Sequence, residues 1–106
     1  MKPNINDVAI KLRDKLRDSI NDFEGLYVFG SQVKGQTKDD SDVDIVLIFK
    51  QHYSFLPDTF YQILSQITGD YYDSFFLDVL DYTKDELKKN ILIHNAVVNK
   101  GVYYGV

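Results

Sequence analysis

Apolar residues recur at Ile5, Val8, Ala9, Leu12, Leu16 and Ile20, the spacing of a single helix face, and predict an amphipathic helix over about residues 5–20 with Asn4 or Asn6 as its cap. Residues 21–25 end it. The short apolar run Leu26 to Phe29 predicts a buried strand, Ser31 to Gly35 a short helix, and Gln36 to Asp40 a polar loop. A longer apolar run, Val43 to Phe49, predicts a second strand. Past an irregular aromatic connector at His52 to Leu56, Pro57-Asp58 opens a helix with Phe60, Ile63, Leu64 and Ile67 on one face, closed at Gly69-Asp70. Ser74 to Leu80 alternates as a strand placing Phe76, Asp78 and Leu80 together. Thr83-Lys84-Asp85-Glu86 has capping-box spacing and starts a helix to about Asn95, and Ala96 to Val106 reads as a short strand or turn followed by a tail. This order predicts an α/β domain of the α+β type, a mixed sheet of about four strands with helices packed on it.

Length and charge narrow the function. With 106 residues, a single domain spanning 1–106 is expected, enough to bury roughly two thirds of its unfolded surface. The absence of cysteine, of a secretory signal and of any run long enough to span a membrane points to a cytoplasmic protein without a membrane partner. Net charge is −4 with the acidic residues dispersed, so no long nucleic acid is expected as a partner. Lys11, Arg13, Lys15 and Arg17 are interleaved with Asp14 and Asp18, the composition of a solvated helix face, with a docking patch for an acidic partner as the other reading. His52 and His94 lie in no metal-ligand spacing and read as surface or packing residues. Tyr71-Tyr72 and Tyr103-Tyr104 read as packing or interface pairs, Tyr103 or Tyr104 also as a modification target.

The chemistry concentrates between Phe29 and Phe49. Asp42 and Asp44 are two positions apart at the head of a strand, so they project to one face while Val43, Ile45 and Leu47 face the other. Two like charges held so closely are commonly bridged by a divalent cation, and an all-oxygen donor set favours magnesium or manganese over zinc. Gly30 lets the chain turn sharply and approach a ligand, and Ser31 caps the short helix whose free N–H groups attract an anion. Lys34, three residues on, reads as a phosphate contact or a solvent-facing lysine, and Gly35 lets the short helix end. These parts suit the bound triphosphate of a nucleotide.

Gly30-Ser31, Gly35 and Ser41-Asp42-Val43-Asp44 resemble the motif of the DNA polymerase beta superfamily of nucleotidyltransferases in its smallest form, the minimal nucleotidyltransferase or MNT domain: Gly-Ser, three residues, Gly, a short loop, then Ser-Asp, one residue, Asp. The family carries a third acidic residue on a later strand, in an apolar-Asp-apolar-apolar-Asp run. Leu77-Asp78-Val79-Leu80-Asp81 fits, with Asp78 the match and Asp81 the alternative. The resemblance implies Asp42, Asp44 and Asp78 as metal ligands and catalytic carboxylates for two magnesium ions, and Gly30, Ser31, Lys34 and Ser41 as the nucleotide-binding set for ATP. MNT proteins of this length resemble the antitoxin half of toxin–antitoxin pairs whose partner is a helical HEPN ribonuclease, to a tyrosine of which they transfer AMP. The HEPN motif, an arginine followed a few residues later by histidine, does not occur here, because Arg13 and Arg17 are far from His52. The resemblance therefore implies the transferase half, with assembly into a homo- or hetero-oligomer open, and with masking by complex formation or transfer to a small-molecule hydroxyl as alternatives.

Overall fold

A computed structural model describes residues 5–29, 42–71 and 76–106. Its elements are α1 (Ile5–Ser19), β1 (Phe23–Phe29), β2 (Asp42–Phe49), α2 (Asp58–Tyr71), β3 (Phe76–Thr83), α3 (Lys84–Lys89), α4 (Ile91–Val98) and β4 (Val102–Gly105). One four-stranded sheet has the order β3-β2-β1-β4. β1 is antiparallel to both β2 and β4, and β2 is parallel to β3. The parallel pair needs a crossover, which α2 supplies. The mixed sheet with packed helices is the α+β architecture read from the sequence.

The apolar positions of β2 divide between two faces. Val43, Ile45, Leu47 and Phe49 join Val8, Leu12 and Leu16 of α1 and Phe60, Ile63 and Ile67 of α2 in the main core. Val46 and Ile48, on the other face, pack with Leu87 of α3 and Val97 of α4, against which Tyr27, Phe29, Tyr82 and Ile93 lie. β2 is therefore buried on both sides, which explains its unbroken apolar run. Each fully buried aliphatic side chain contributes about 1.5–3 kcal/mol.

The basic residues of α1 make local ion pairs. Lys11 meets Asp70 of α2 at 2.7 Å, Arg13 meets Asp14 at 2.9 Å, and Arg17 meets Asp18 at 3.2 Å. Lys15 donates to the side chain of Gln66 at 3.2 Å. These contacts tie the run to its own helix and to α2, and the Arg13 guanidinium also donates to the Gly105 carbonyl of β4 at 3.5 Å. Asn6 lies inside α1, and its side chain accepts from the Tyr104 hydroxyl at 2.7 Å, which fastens β4 to the helix. The alternative cap, Asn4, lies outside the described residues.

Several boundaries differ from the sequence reading. β1 begins at Phe23, because Gly25 at φ +153° makes an irregularity that carries pairing back to Phe49. α2 continues through Gly69 to Tyr71, and β3 runs to Thr83. The helix expected from Thr83 to about Asn95 is divided at Asn90, whose φ −96° and ψ 89° end α3. The Asn90 side chain then accepts from the Ile93 N–H at 3.3 Å and caps α4. The Thr83 capping box is present: the Thr83 hydroxyl accepts from the Glu86 N–H at 3.1 Å, and Glu86 accepts from the Thr83 N–H at 2.9 Å. Thr83→Ala is expected to cost about 1 kcal/mol of stability, read as a lower urea midpoint at unchanged slope.

Candidate active site

The described half of the site is built on β2 and β3. Asp42 opens β2, with its Cα in register with that of Phe76, and Asp44 follows two positions later. Asp44 is in register with Asp78 on the parallel neighbour, so these carboxylates are borne side by side, on strands about 4.8 Å apart. On its other side Asp44 faces Phe29 of β1. Residues paired in register share a sheet face, so Asp44 and Asp78 project from the face that carries Val46 and Ile48 and α3 and α4. Asp44 is half-buried and Asp78 exposed.

Asp81 is placed differently. It is in register with Leu47, three positions beyond Asp44, and belongs to the opposite face. Burial pushes its carboxyl above the ordinary range, the Glu86 charge pushes the same way, and His52 opposes them. His52 is itself paired with Glu86 at 3.0 Å. The backbone N–H of Thr83 is the main cause holding the Glu86 carboxyl below its ordinary value.

Gly30, Ser31, Lys34 and Ser41, the anticipated nucleotide-binding set, lie outside the described residues, as do the expected short helix and polar loop. Among the described residues no group of three or more His, Cys, Asp or Glu side chains is arranged to hold a metal ion. A two-carboxylate oxygen donor set on adjacent strands suits a hard cation such as magnesium, and Asp44 and Asp78 fit that role. No helix among the described residues is long and apolar enough to cross a membrane.

Beyond the carboxylates, the same face holds a cavity of about 290 Å³ under α3 and α4 that the sequence did not reveal. His94, read from the sequence as a surface or packing residue, lines it. The Tyr103 hydroxyl donates to the Glu24 carbonyl at 3.0 Å, and its ring lies 4.7 Å from that of Tyr27. Only the alternation of Tyr27 and Phe29 with Leu26 and Val28 along β1 signalled an aromatic lining on that face.

A mixed sheet with a carboxylate on its central strand β2 beside one on the edge strand β3 fits the nucleotidyltransferase fold. The chain belongs to the family described as polymerase beta, nucleotidyltransferase, whose model matches residues 10–101. Solved structures share the fold. A chain of a toxin–antitoxin complex with AMP-PNP has a TM-score of 0.65 at 22% identity, covering 96% of this chain and 74% of that one. A Sulfolobus solfataricus protein described as a nucleotidyltransferase gives 0.58 at 20% identity, covering 92% and 77%. A chain from a tri-AMPylated Shewanella oneidensis HEPN toxin in complex with its MNT antitoxin gives 0.58 at 18% identity, covering 95% and 72%. No curated protein matches the chain.

Proposed function

We propose that this protein is a magnesium-dependent nucleotidyltransferase that moves AMP from ATP to a tyrosine hydroxyl of a HEPN-type partner and thereby acts as its antitoxin. The observation that carries the reading is the register of Asp44 with Asp78 across parallel strands, which places two carboxylates on one face of the sheet. The family match supports the reaction class, and the likeness to chains from toxin–antitoxin complexes, one holding an AMPylated HEPN toxin, supports the partner.

In this reading Asp42, Asp44 and Asp78 hold magnesium, and Gly30, Ser31, Lys34 and Ser41 hold the triphosphate of ATP. A magnesium ion held there would supply charge neutralisation to the phosphates and to the entering and departing oxygens. Asp78, exposed at the edge strand, is open to an acceptor approaching from outside. Its carboxylate accepts the proton of the attacking hydroxyl, whose oxygen bonds to the α-phosphorus as the bond to pyrophosphate breaks. The product is a phosphodiester between AMP and the acceptor oxygen.

A masking role without chemistry is favoured by a different observation. Ile91 and Leu92 on α4 are 72% and 83% exposed, an apolar pair of the kind that contacts another protein. One experiment separates the readings. The product of the neighbouring gene is incubated with this protein, ATP and magnesium, and its intact mass is measured, with Asp44→Asn as the control. A gain of one or more AMP units that the control lacks supports transfer. An unchanged mass in a stable complex supports masking, and neither mass gain nor complex overturns both.

A further inference from the structure

The cavity beneath α3 and α4 is separate from the proposed transfer site. Ile48 lies in its floor and Asp44 bears the carboxylate, four residues apart on β2 and on one face, so roughly 13 Å of strand separates them, with the fully buried Val46 between. Tyr27, Ile48 and Leu87 give the cavity an apolar and aromatic floor. Lys84, Lys88 and His94 are the ionisable groups at its wall besides tyrosine, and no carboxylate lines it. Lys84 is bound to Glu24 at 3.2 Å, a contact that raises its pKa and fixes its ammonium beside the opening.

This local charge runs against that of the chain. Net charge is −4 overall, whereas the cavity wall carries Lys84 and Lys88, of which Lys84 is paired with Glu24 and Lys88 is left facing the opening. Cations around an apolar floor match a ligand that is flat and hydrophobic at one end and anionic at the other. At about 290 Å³ the cavity falls at the lower bound, roughly 300 Å³, of sites for drug-sized ligands, which limits the occupant to about one ring and its charged group.

We infer that the cavity bounded by Tyr27, Ile48, Leu87, Lys88 and His94 is a binding site for a small aromatic anion, a single ring bearing a carboxylate or a phosphate. The ring packs on the apolar floor beside the tilted Tyr27–Tyr103 pair, and the anionic group turns outward to Lys88 and His94. The site does not depend on the transfer reaction.

Benzoate and phenyl phosphate, with benzamide as the neutral isostere, are the probes, titrated into the ¹⁵N-labelled protein without nucleotide or metal. Saturable amide shifts are expected at Ile48, Leu87, Lys88 and Val98, with benzamide binding at least about fivefold more weakly. The tighter of the two anions identifies the preferred charged group. Lys88→Gln is expected to weaken both anions about fivefold. Val98→Phe, which fills the cavity from a partly exposed position, is expected to remove binding while the remaining amide spectrum stays in place. Failure to saturate, equal affinity for benzamide, shifts centred on Val43 to Ile45 instead, or undiminished binding by a folded Val98→Phe variant would each overturn the assignment.

Discussion

Asp78→Asn is expected to lower AMP transfer at least about 100-fold, whereas Asp81→Asn is expected to stay within about twofold of the parent. The two aspartates are three residues apart in one strand, and the contrast follows from register alone. Asp78 stands beside Asp44, and Asp81 stands beside Leu47 on the other face. Asparagine retains the size of aspartate but removes the negative charge on which the proposed metal binding and proton acceptance depend. A 100-fold loss corresponds to about 2.7 kcal/mol of transition-state stabilisation, a reasonable share for one ligand. The check is the initial rate of AMP transfer for each variant, and activity in Asp78→Asn together with inactivity in Asp81→Asn would reverse the assignment.

Asp81→Asn carries a second expected effect with the opposite sign. Because burial and Glu86 raise the Asp81 pKa in the folded state, the folded protein holds that proton more tightly than the unfolded chain does. Ionisation therefore costs stability as pH rises from the ordinary value of 3.8 through the folded value, and above that the full penalty is present. Asparagine removes it. The variant is expected to have the higher urea midpoint at neutral pH, and this advantage is expected to shrink towards zero as pH falls to about 3.8.

The choice between these aspartates shows where sequence reading stops. Both fit the apolar-Asp-apolar-apolar-Asp run, and alternation sets them on opposite faces without saying which face is which. That depends on pairing between β2 and β3, fixed by how α2 returns the chain to the sheet. The helices were more legible because their signals are local: the apolar stripe of α1, Pro57-Asp58 before α2, and Thr83 with Glu86 before α3. The break at Asn90 is silent in the sequence because a residue that ends one helix and caps the next leaves no break in apolar spacing. The cavity was illegible for a stronger reason: Tyr27, Ile48, Leu87 and His94 come from β1, β2, α3 and α4, and only the tertiary arrangement brings them together.

Gly101 and Gly69 present the same limit as a pair of stability changes with opposite signs. A Cβ on Gly101 would clash with the Val97 carbonyl oxygen and lie 3.0 Å from that of Val28, both backbone atoms that no side-chain rotation can move. The Gly101 N–H already donates to the Val97 carbonyl at 2.9 Å, so the last turn of α4 and the entry to β4 are held at that distance. Gly101→Ala must push β4 away from β1, straining the Tyr104–Asn6 contact as well, and is expected to cost about 3 kcal/mol. For a domain of this size that lowers Tm by roughly 15 °C. Gly69 sits exposed within α2, with no atom within 4 Å of an added Cβ. Gly69→Ala is expected to add about 0.5 kcal/mol, because alanine restricts the unfolded chain and favours the helix. Thermal unfolding of both variants provides the check. A Gly101→Ala variant as stable as the parent would mean that β4 can leave β1 at no cost, and the strand would then contribute nothing to holding the sheet's far edge.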